Sequence, residues 1–224
     1  MRNADVNLIE IPENMDAAAA ALLGCRFATA YRGIVHQARL RAGEWMLVVG
    51  AGGVGLSCVM IGKALGARVI AVDVSSTALE SATRLGADLA IDSRGRDLED
   101  LVDEIASVTG GGAQVSVDAL GREETLTLGI HSLRPRGRFV QIGLFADEPR
   151  VPMSVVIARE LEIRGSHGMP AGDYADLLAL VEDGSLHPEA IVTRRIDLED
   201  VPEAMGQMNR DELAGVALIE ISPR

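Results

Sequence analysis

The sequence predicts an α/β fold: a doubly wound parallel sheet with helices on both faces, followed by a small C-terminal α/β segment. Three observations carry this. Short apolar, β-branched runs alternate with helical patterns from Met46 onward, and such runs are strands buried on both faces. The chain is 48% hydrophobic but only 3% aromatic, so Val, Ile, Leu and Ala must fill the core. Finally, Gly50-Ala51-Gly52-Gly53-Val54-Gly55, a G-x-G-x-x-G, lies between the first buried strand and the first helix.

In chain order, Val6 to Ile11 reads as a short strand stopped by Pro12. Asp16 is placed to cap an alanine-rich helix, Ala17 to Leu23. After Cys25, Thr29-Ala30-Tyr31 enters a helical stretch to about Leu40, and Arg41 to Glu44 form a turn. Met46 to Val49 is the central strand. A helix follows, with Val54, Cys58, Ile61 and Leu65 as one apolar stripe and Gly66 at its end. Val69 to Val72 is the second strand, and it closes on Asp73.

The residue types around this turn suit phosphate binding. Gly50 allows a tight strand-to-helix turn, Gly52 leaves the backbone open to a pyrophosphate, and Gly55 lets the helix lie close on the strand. The free N–H groups and the positive dipole end of the helix then hold the anion. Asp73 follows Gly52 by 21 residues. There a carboxylate accepts from an adenosine ribose and repels a 2′-phosphate. No arginine occurs in Val74-Ser75-Ser76, so NAD is expected over NADP.

The βα pattern then repeats. Ser75 or Ser76 caps a helix to about Leu85, stopped by Gly86. Asp88 to Asp92 is a strand, and Asp97 caps a helix to Thr109 with Leu98, Leu101, Ile105 and Val108 on one face. Gly110 to Gly112 form a loop, and Val115 to Gly121 a buried strand with a glycine exit. Asp118 reads as a solvated or hydrogen-bonded carboxylate rather than a catalytic one. A helix spans 122–133, Arg134 to Arg138 make a basic corner, and Phe139 to Leu144 is the next strand. Val155 to Ala158 is a short helix, and the strand from Leu161 leaves through Gly168. A helix (Asp173 to Glu182), a strand (Ile191 to Ile196), a helix (Val201 to Met208) and a last strand (Gly215 to Ile221) complete the chain. The sheet should take the Rossmann order 3-2-1-4-5-6 over about Gly24 to Gly165, with the ligand at the switch point.

Composition narrows the function. A net charge of −12 argues against nucleic acid and anionic membrane surfaces as partners. Two cysteines give no disulfide framework, which fits a reducing cytoplasm. There is no signal-peptide pattern at Met1 and no apolar run of membrane-spanning length.

Pro12-Glu13, then Ala-Ala-Leu-Leu-Gly-Cys25-Arg-Phe-Ala-Thr29-Ala-Tyr31, then Arg41 to Glu44 and the glycine motif resemble the zinc-dependent alcohol dehydrogenases of the medium-chain dehydrogenase/reductase family. The resemblance runs along essentially the whole chain. It implies hydride transfer between NAD and an alcohol or an aldehyde/ketone. It implies that Cys25 is a ligand of a catalytic zinc and that Thr29 lies beside the nicotinamide. It also implies that Ala119 and Leu120, with Ile142, Gly143 and Leu144, flank that ring, and that Ser166 and His167 face the cofactor cleft. Without the resemblance, Cys25 reads as a small buried residue, and His167 more readily as a polar loop histidine than as a general base.

The resemblance implies domains as well: 1–23 as a remnant of an N-terminal catalytic domain, 24–165 as the NAD-binding domain, and 166–224 as a returning segment of the catalytic domain. Relatives carry the other zinc ligands in a preceding domain. Here Cys25 stands with four scattered histidines, His36, His131, His167 and His187, whereas a catalytic zinc takes three protein ligands. Zinc is therefore expected only together with that domain. An NAD-binding protein without turnover and a zinc-free quinone reductase-like enzyme are the alternatives. A homodimer through sheet edges is also expected from the resemblance.

Overall fold

The computed structural model describes residues 8–13, 15–207 and 215–221. A helical run opens it: α1 (Ala17–Leu22), a wide π-helical turn (Leu23–Phe27), α2 (Ala28–Tyr31) and a second wide turn (Arg32–Gln37). Asp16 caps it as expected, its carboxylate accepting from Ala18 N–H at 2.6 Å. The sequence suggested two pieces parted near Gly24. The chain instead absorbs the interruption by hydrogen-bonding five residues back, Ala28 N–H to Leu23 and Ala38 N–H to Gly33. Such turns are rare and concentrate at functional sites. Residues 8–11 form no strand. Leu8 and Ile11 are exposed, and a strand needs a partner edge for its backbone groups. Val6 lies outside the described residues.

Six strands follow: β1 (Trp45–Val49), β2 (Arg68–Asp73), β3 (Leu89–Asp92), β4 (Ala113–Asp118), β5 (Leu133–Gln141) and β6 (Glu162–Gly165). Their order is β3-β2-β1-β4-β5-β6, with every neighbour parallel. Val48 lies opposite Ala71 on one side and Val117 on the other. Because side chains alternate across a strand, each strand feeds two cores. Met46, Val48, Val69, Ala71, Val115 and Val117 pack beneath the opening helical run and α3 (Gly53–Ala64), along with buried residues of α4 (Ser76–Arg84). Leu47, Val49, Ile70 and Val72 pack beneath α5 (Leu98–Thr109) and α6 (Glu123–His131). A third cluster joins α6 and Phe139 to Val156 of α7 (Met153–Ala158).

Four expectations need correction. The apolar stripe on α3 is too narrow a description: residues 55–62 are buried all round, because the helix lies between the sheet and the opening helical run. The basic corner at Arg134–Arg138 belongs to β5, where pairing jumps from Ala113–Leu133 to Val115–Arg138 and Arg136 takes a φ of 61°. β5 also ends at Gln141, so Ile142 to Leu144 form a loop. On α5, Leu101 and Ile105 are buried while Leu98 and Val108, at its ends, are exposed.

Beyond β6 come α8 (Tyr174–Glu182), β7 (Val192–Asp197), α9 (Val201–Gln207) and β8 (Val216–Glu220), with β7 and β8 paired in parallel. Met208, expected in the last helix, lies outside the described residues. Leu177 of α8 joins the main core, and Asp173 receives Arg32 and His36 from the opening helical run, each at 3.3 Å. Leu198, Met205, Ile219 and Ile221 are exposed. No helix among the described residues is long and apolar enough to cross a membrane.

Candidate functional site

The carboxyl ends of the strands gather most of the residues singled out from the sequence. Gly50 follows β1 with a φ of 92°, a backbone region that L side chains rarely adopt. A Cβ on Gly55 would sit 1.8 Å from the Gly50 carbonyl oxygen, so the helix meets the turn with no room for any side chain. A Cβ on Gly52 would meet nothing within 4 Å. The backbone there faces open space, beside a first helical turn whose N–H groups lack intrahelical acceptors. Ala51 lies between, fully buried, and Val54 is half-buried on the first turn of α3.

Asp73 ends β2, and both its oxygens accept backbone N–H groups. Its Oδ2 accepts from Ala51 N–H at 2.6 Å and its Oδ1 from Ser75 N–H at 2.9 Å. The carboxylate therefore braces the glycine turn against the second strand. Each oxygen keeps a further lone-pair direction for a hydroxyl donor. Between the ends of β1, β2 and β4 lies a cavity of about 650 Å³, lined in part by Asp73, Ser75, Arg96, Leu101, Leu120 and Arg122. Its walls mix apolar side chains, among them Leu101 and Leu120, with polar and charged groups such as Asp73, Arg96 and Arg122.

The turn after β4 is built from Asp118, which is fully buried. Its Oδ1 accepts from Leu120 and Gly121 N–H groups at 2.8 and 3.0 Å, and its Oδ2 from Thr125 Oγ1 and Gln141 Nε2 at 3.0 and 2.9 Å. Its carbonyl accepts from Ile142 and Gly143 N–H groups. Of the two readings left open for Asp118, hydrogen-bonded is right and solvated is not. This hub sets Ala119–Leu120 beside Ile142–Leu144. Leu120 Cβ lies 3.1 Å from where a Gly50 Cβ would stand, which brings the second loop onto the glycine turn. Leu120 and Leu144 are exposed at this edge, an apolar surface suited to a flat ring. Ser166 N–H donates to the Gln141 carbonyl, and the buried Ser166 Oγ has no partner. His167, the next residue, is exposed.

Cys25 and Thr29 come from the opening helical run. Thr29 is half-buried, one turn before Gly33, where a Cβ would press on Ile142 Cδ1 at 2.6 Å. That face of the run therefore lies on the Ile142 loop. Cys25 sits in the first wide turn and is exposed, not the buried small residue that its type alone suggests. Burial first, and the neighbouring Cys25 second, push the Tyr174 phenol above its usual pKa. Of the four histidines, His36 pairs with Asp173 and His187 with Glu189. Among the described residues no group of three or more His, Cys, Asp or Glu side chains is placed to hold a metal ion. The residues present therefore do not fit a closed zinc site.

Sequence reasoning gave no role to Arg26, Gln141 or Tyr174. Only Arg26 carried a signal, its place beside Cys25. The other two act across long stretches of chain.

Comparison with known proteins adds the following. A family profile described as zinc-binding dehydrogenase matches residues 53–183. The chain is 37% identical over 174 residues to the probable D-xylulose reductase A of Emericella nidulans, covering 76% of this chain and 48% of that protein. It is 33% identical over 204 residues to the NAD-dependent alcohol dehydrogenase of Sulfurisphaera tokodaii, covering 90% and 57%. An alcohol dehydrogenase structure from Thermus sp. ATN1 superposes with a TM-score of 0.87 at 31% identity, over 97% of this chain and 62% of that one. The 2R,3R-butanediol dehydrogenase of Bacillus subtilis gives 0.85 at 27%, over 96% and 60%. The chain spans about half the length of the curated relatives it matches.

Proposed function

The chain belongs to the zinc-binding dehydrogenase family, and from that premise we propose that it is the cofactor-holding part of an NAD-dependent alcohol dehydrogenase. The substrate class is a small alcohol or the matching aldehyde or ketone. The single observation that carries the reading is Asp73, whose carboxylate ends β2 while accepting from the Ala51 N–H of the glycine turn. It joins the ribose position to the phosphate position in one rigid unit.

Roles follow from placement. Gly50 to Gly55 hold the diphosphate through backbone N–H groups and the helix dipole. Asp73 accepts from the adenosine ribose, and the cavity beside it takes the adenine. Ala119, Leu120, Ile142, Gly143 and Leu144 form the wall for the nicotinamide, with Thr29 and Ser166 at its margins. NAD, when bound, supplies the hydride acceptor, and the protein supplies orientation and water exclusion. His167, exposed in the loop after β6, serves as a base only where a catalytic domain completes the site. Cys25, the exposed cysteine, would ligate zinc only together with ligands from a catalytic domain. The boundaries 1–23, 24–165 and 166–224 are part of the same proposal, as are a cytoplasmic setting and a homodimer through sheet edges. The absence of a three-ligand cluster among the described residues favours one further reading, cofactor binding without turnover by these 224 residues.

The test is a titration with NADH and NADPH. NADH should bind more tightly, and Asp73→Gly should erase that preference. An unchanged preference would remove Asp73 from its role, and a protein that binds neither cofactor would sink the reading.

A further inference from the structure

The glycine turn carries a cation that the backbone motif does not require. Arg26 leaves the first wide turn of the opening helical run, one residue after Cys25. Its side chain crosses the first residue of α3, with Nε 2.6 Å and Cδ 2.9 Å from where a Cβ on Gly53 would stand. A side chain at position 53 would force the guanidinium arm to shift. Among the described residues Arg26 has no hydrogen-bond or ion-pair partner. By contrast, Arg32, Arg39, Arg96 and Arg138 each meet a carboxylate.

An unpaired guanidinium at this end of a helix is unfavourable in isolation. The helix N-terminus already carries about half a positive charge, and the guanidinium adds a whole one at close range. Both favour the same thing, an anion between them. The guanidinium presents a planar fork of donors that matches two phosphate oxygens at once. Arg26 also borders a cleft of about 210 Å³ shared with Thr193, Arg194, Ile196, Val201 and Met205. The same side chain therefore stands between the glycine turn and the β7–β8 lobe.

We propose that Arg26 is a further phosphate-binding residue of this site. Its guanidinium, lying against Gly53, joins the backbone N–H groups of the α3 start in holding the diphosphate of the dinucleotide. The proposal rests on the cofactor reading above. It adds that one turn of π-helix presents both a thiol (Cys25) and a diphosphate clamp (Arg26), one peptide apart.

The experiment compares the parent chain with Arg26→Gln and Arg26→Lys, using NADH fluorescence titration and thermal melting without ligand. Arg26→Gln should weaken NADH binding about tenfold, the loss of one charge-assisted contact. Arg26→Lys, which keeps the charge but not the fork, should fall between. Without ligand, Arg26→Gln should melt no lower than the parent, because it removes a cation from the positive helix end. Equal NADH affinity in the parent and Arg26→Gln would overturn the assignment and leave the cofactor reading intact. A ligand-free melting point several degrees lower would mark Arg26 as a packing residue and also overturn it. Failure of the parent to bind NADH at all would instead be the failure of the cofactor reading.

Discussion

Asp118 holds four donors on two oxygens in a fully buried position. Truncating it to alanine leaves those donors facing each other without an acceptor. Asp118→Ala should therefore lose about 3–5 kcal/mol of stability, read from urea unfolding. Asp118→Asn keeps one acceptor oxygen and should lose less. Equal loss in the two variants would mean that side-chain volume, not hydrogen bonding, holds the turn. At this scale, legibility followed distance along the chain. The glycine turn lies within one local stretch and Asp73 lies one βα unit away, and both were readable. Asp118 was seen, but its partner Gln141 lies 23 residues on, and no local pattern announces that contact. Arg26 lies beside Cys25 in sequence, but its crossing of Gly53 from another element forms only once the helical run is docked.

Elements were read well where one strand or helix suffices to explain itself, and less well where a neighbour decides. Ser75 caps α4 as expected, its side chain accepting from Ala78 N–H. Gly66, Gly86 and Gly184 take positive φ where their helices end. The strand expected at Val6 to Ile11 is not borne out over its described residues because no edge is present to pair with it. The wide turns were not legible, since five-residue hydrogen bonding has no sequence period distinct from an α-helix.

One contact between elements has a pH signature. Burial works against ionised Asp88, but hydrogen bonds from Lys63 Nζ (2.9 and 2.8 Å), the Val69 N–H and the charge of Lys63 outweigh it and hold the carboxyl below its ordinary range. A depressed folded-state pKa stabilises the fold fully above the unfolded value, about 4. That contribution is lost as pH falls through the lower folded value. The pair is partly exposed and screened, so its share is about 0.5 kcal/mol. The urea midpoint should fall between pH 6 and pH 3 by less in Asp88→Asn than in the parent. An identical fall in both would show that the contact does not contribute.

For the whole molecule, the sheet order was legible because buried strands and a glycine-rich strand-to-helix turn admit few arrangements. Its interior can be probed by chemistry. Cys25 is exposed, whereas Cys58 is fully buried, and burial pushes its thiol up to about 12. A thiolate-selective reagent at pH 8 should modify one cysteine quickly in the native protein and the second only as fast as the sheet opens. Denaturant should bring both to the fast rate. Rapid modification of two cysteines in the native state would contradict the packing of α3 against β1.

The strand order also bears on the time the protein takes to form. β1 is the first strand of this sheet along the chain, ends at Val49, and finds its partner β2 soon after. Its other neighbour, β4, begins only at Ala113. Until that residue leaves the ribosome, the central strand of the finished sheet is an edge, apolar on both faces and with unsatisfied backbone groups along one side. Non-local parallel pairing of this kind is slow and leaves the nascent chain prone to aggregation. The strand that ends in the glycine turn is thus also the one that most needs shelter during synthesis.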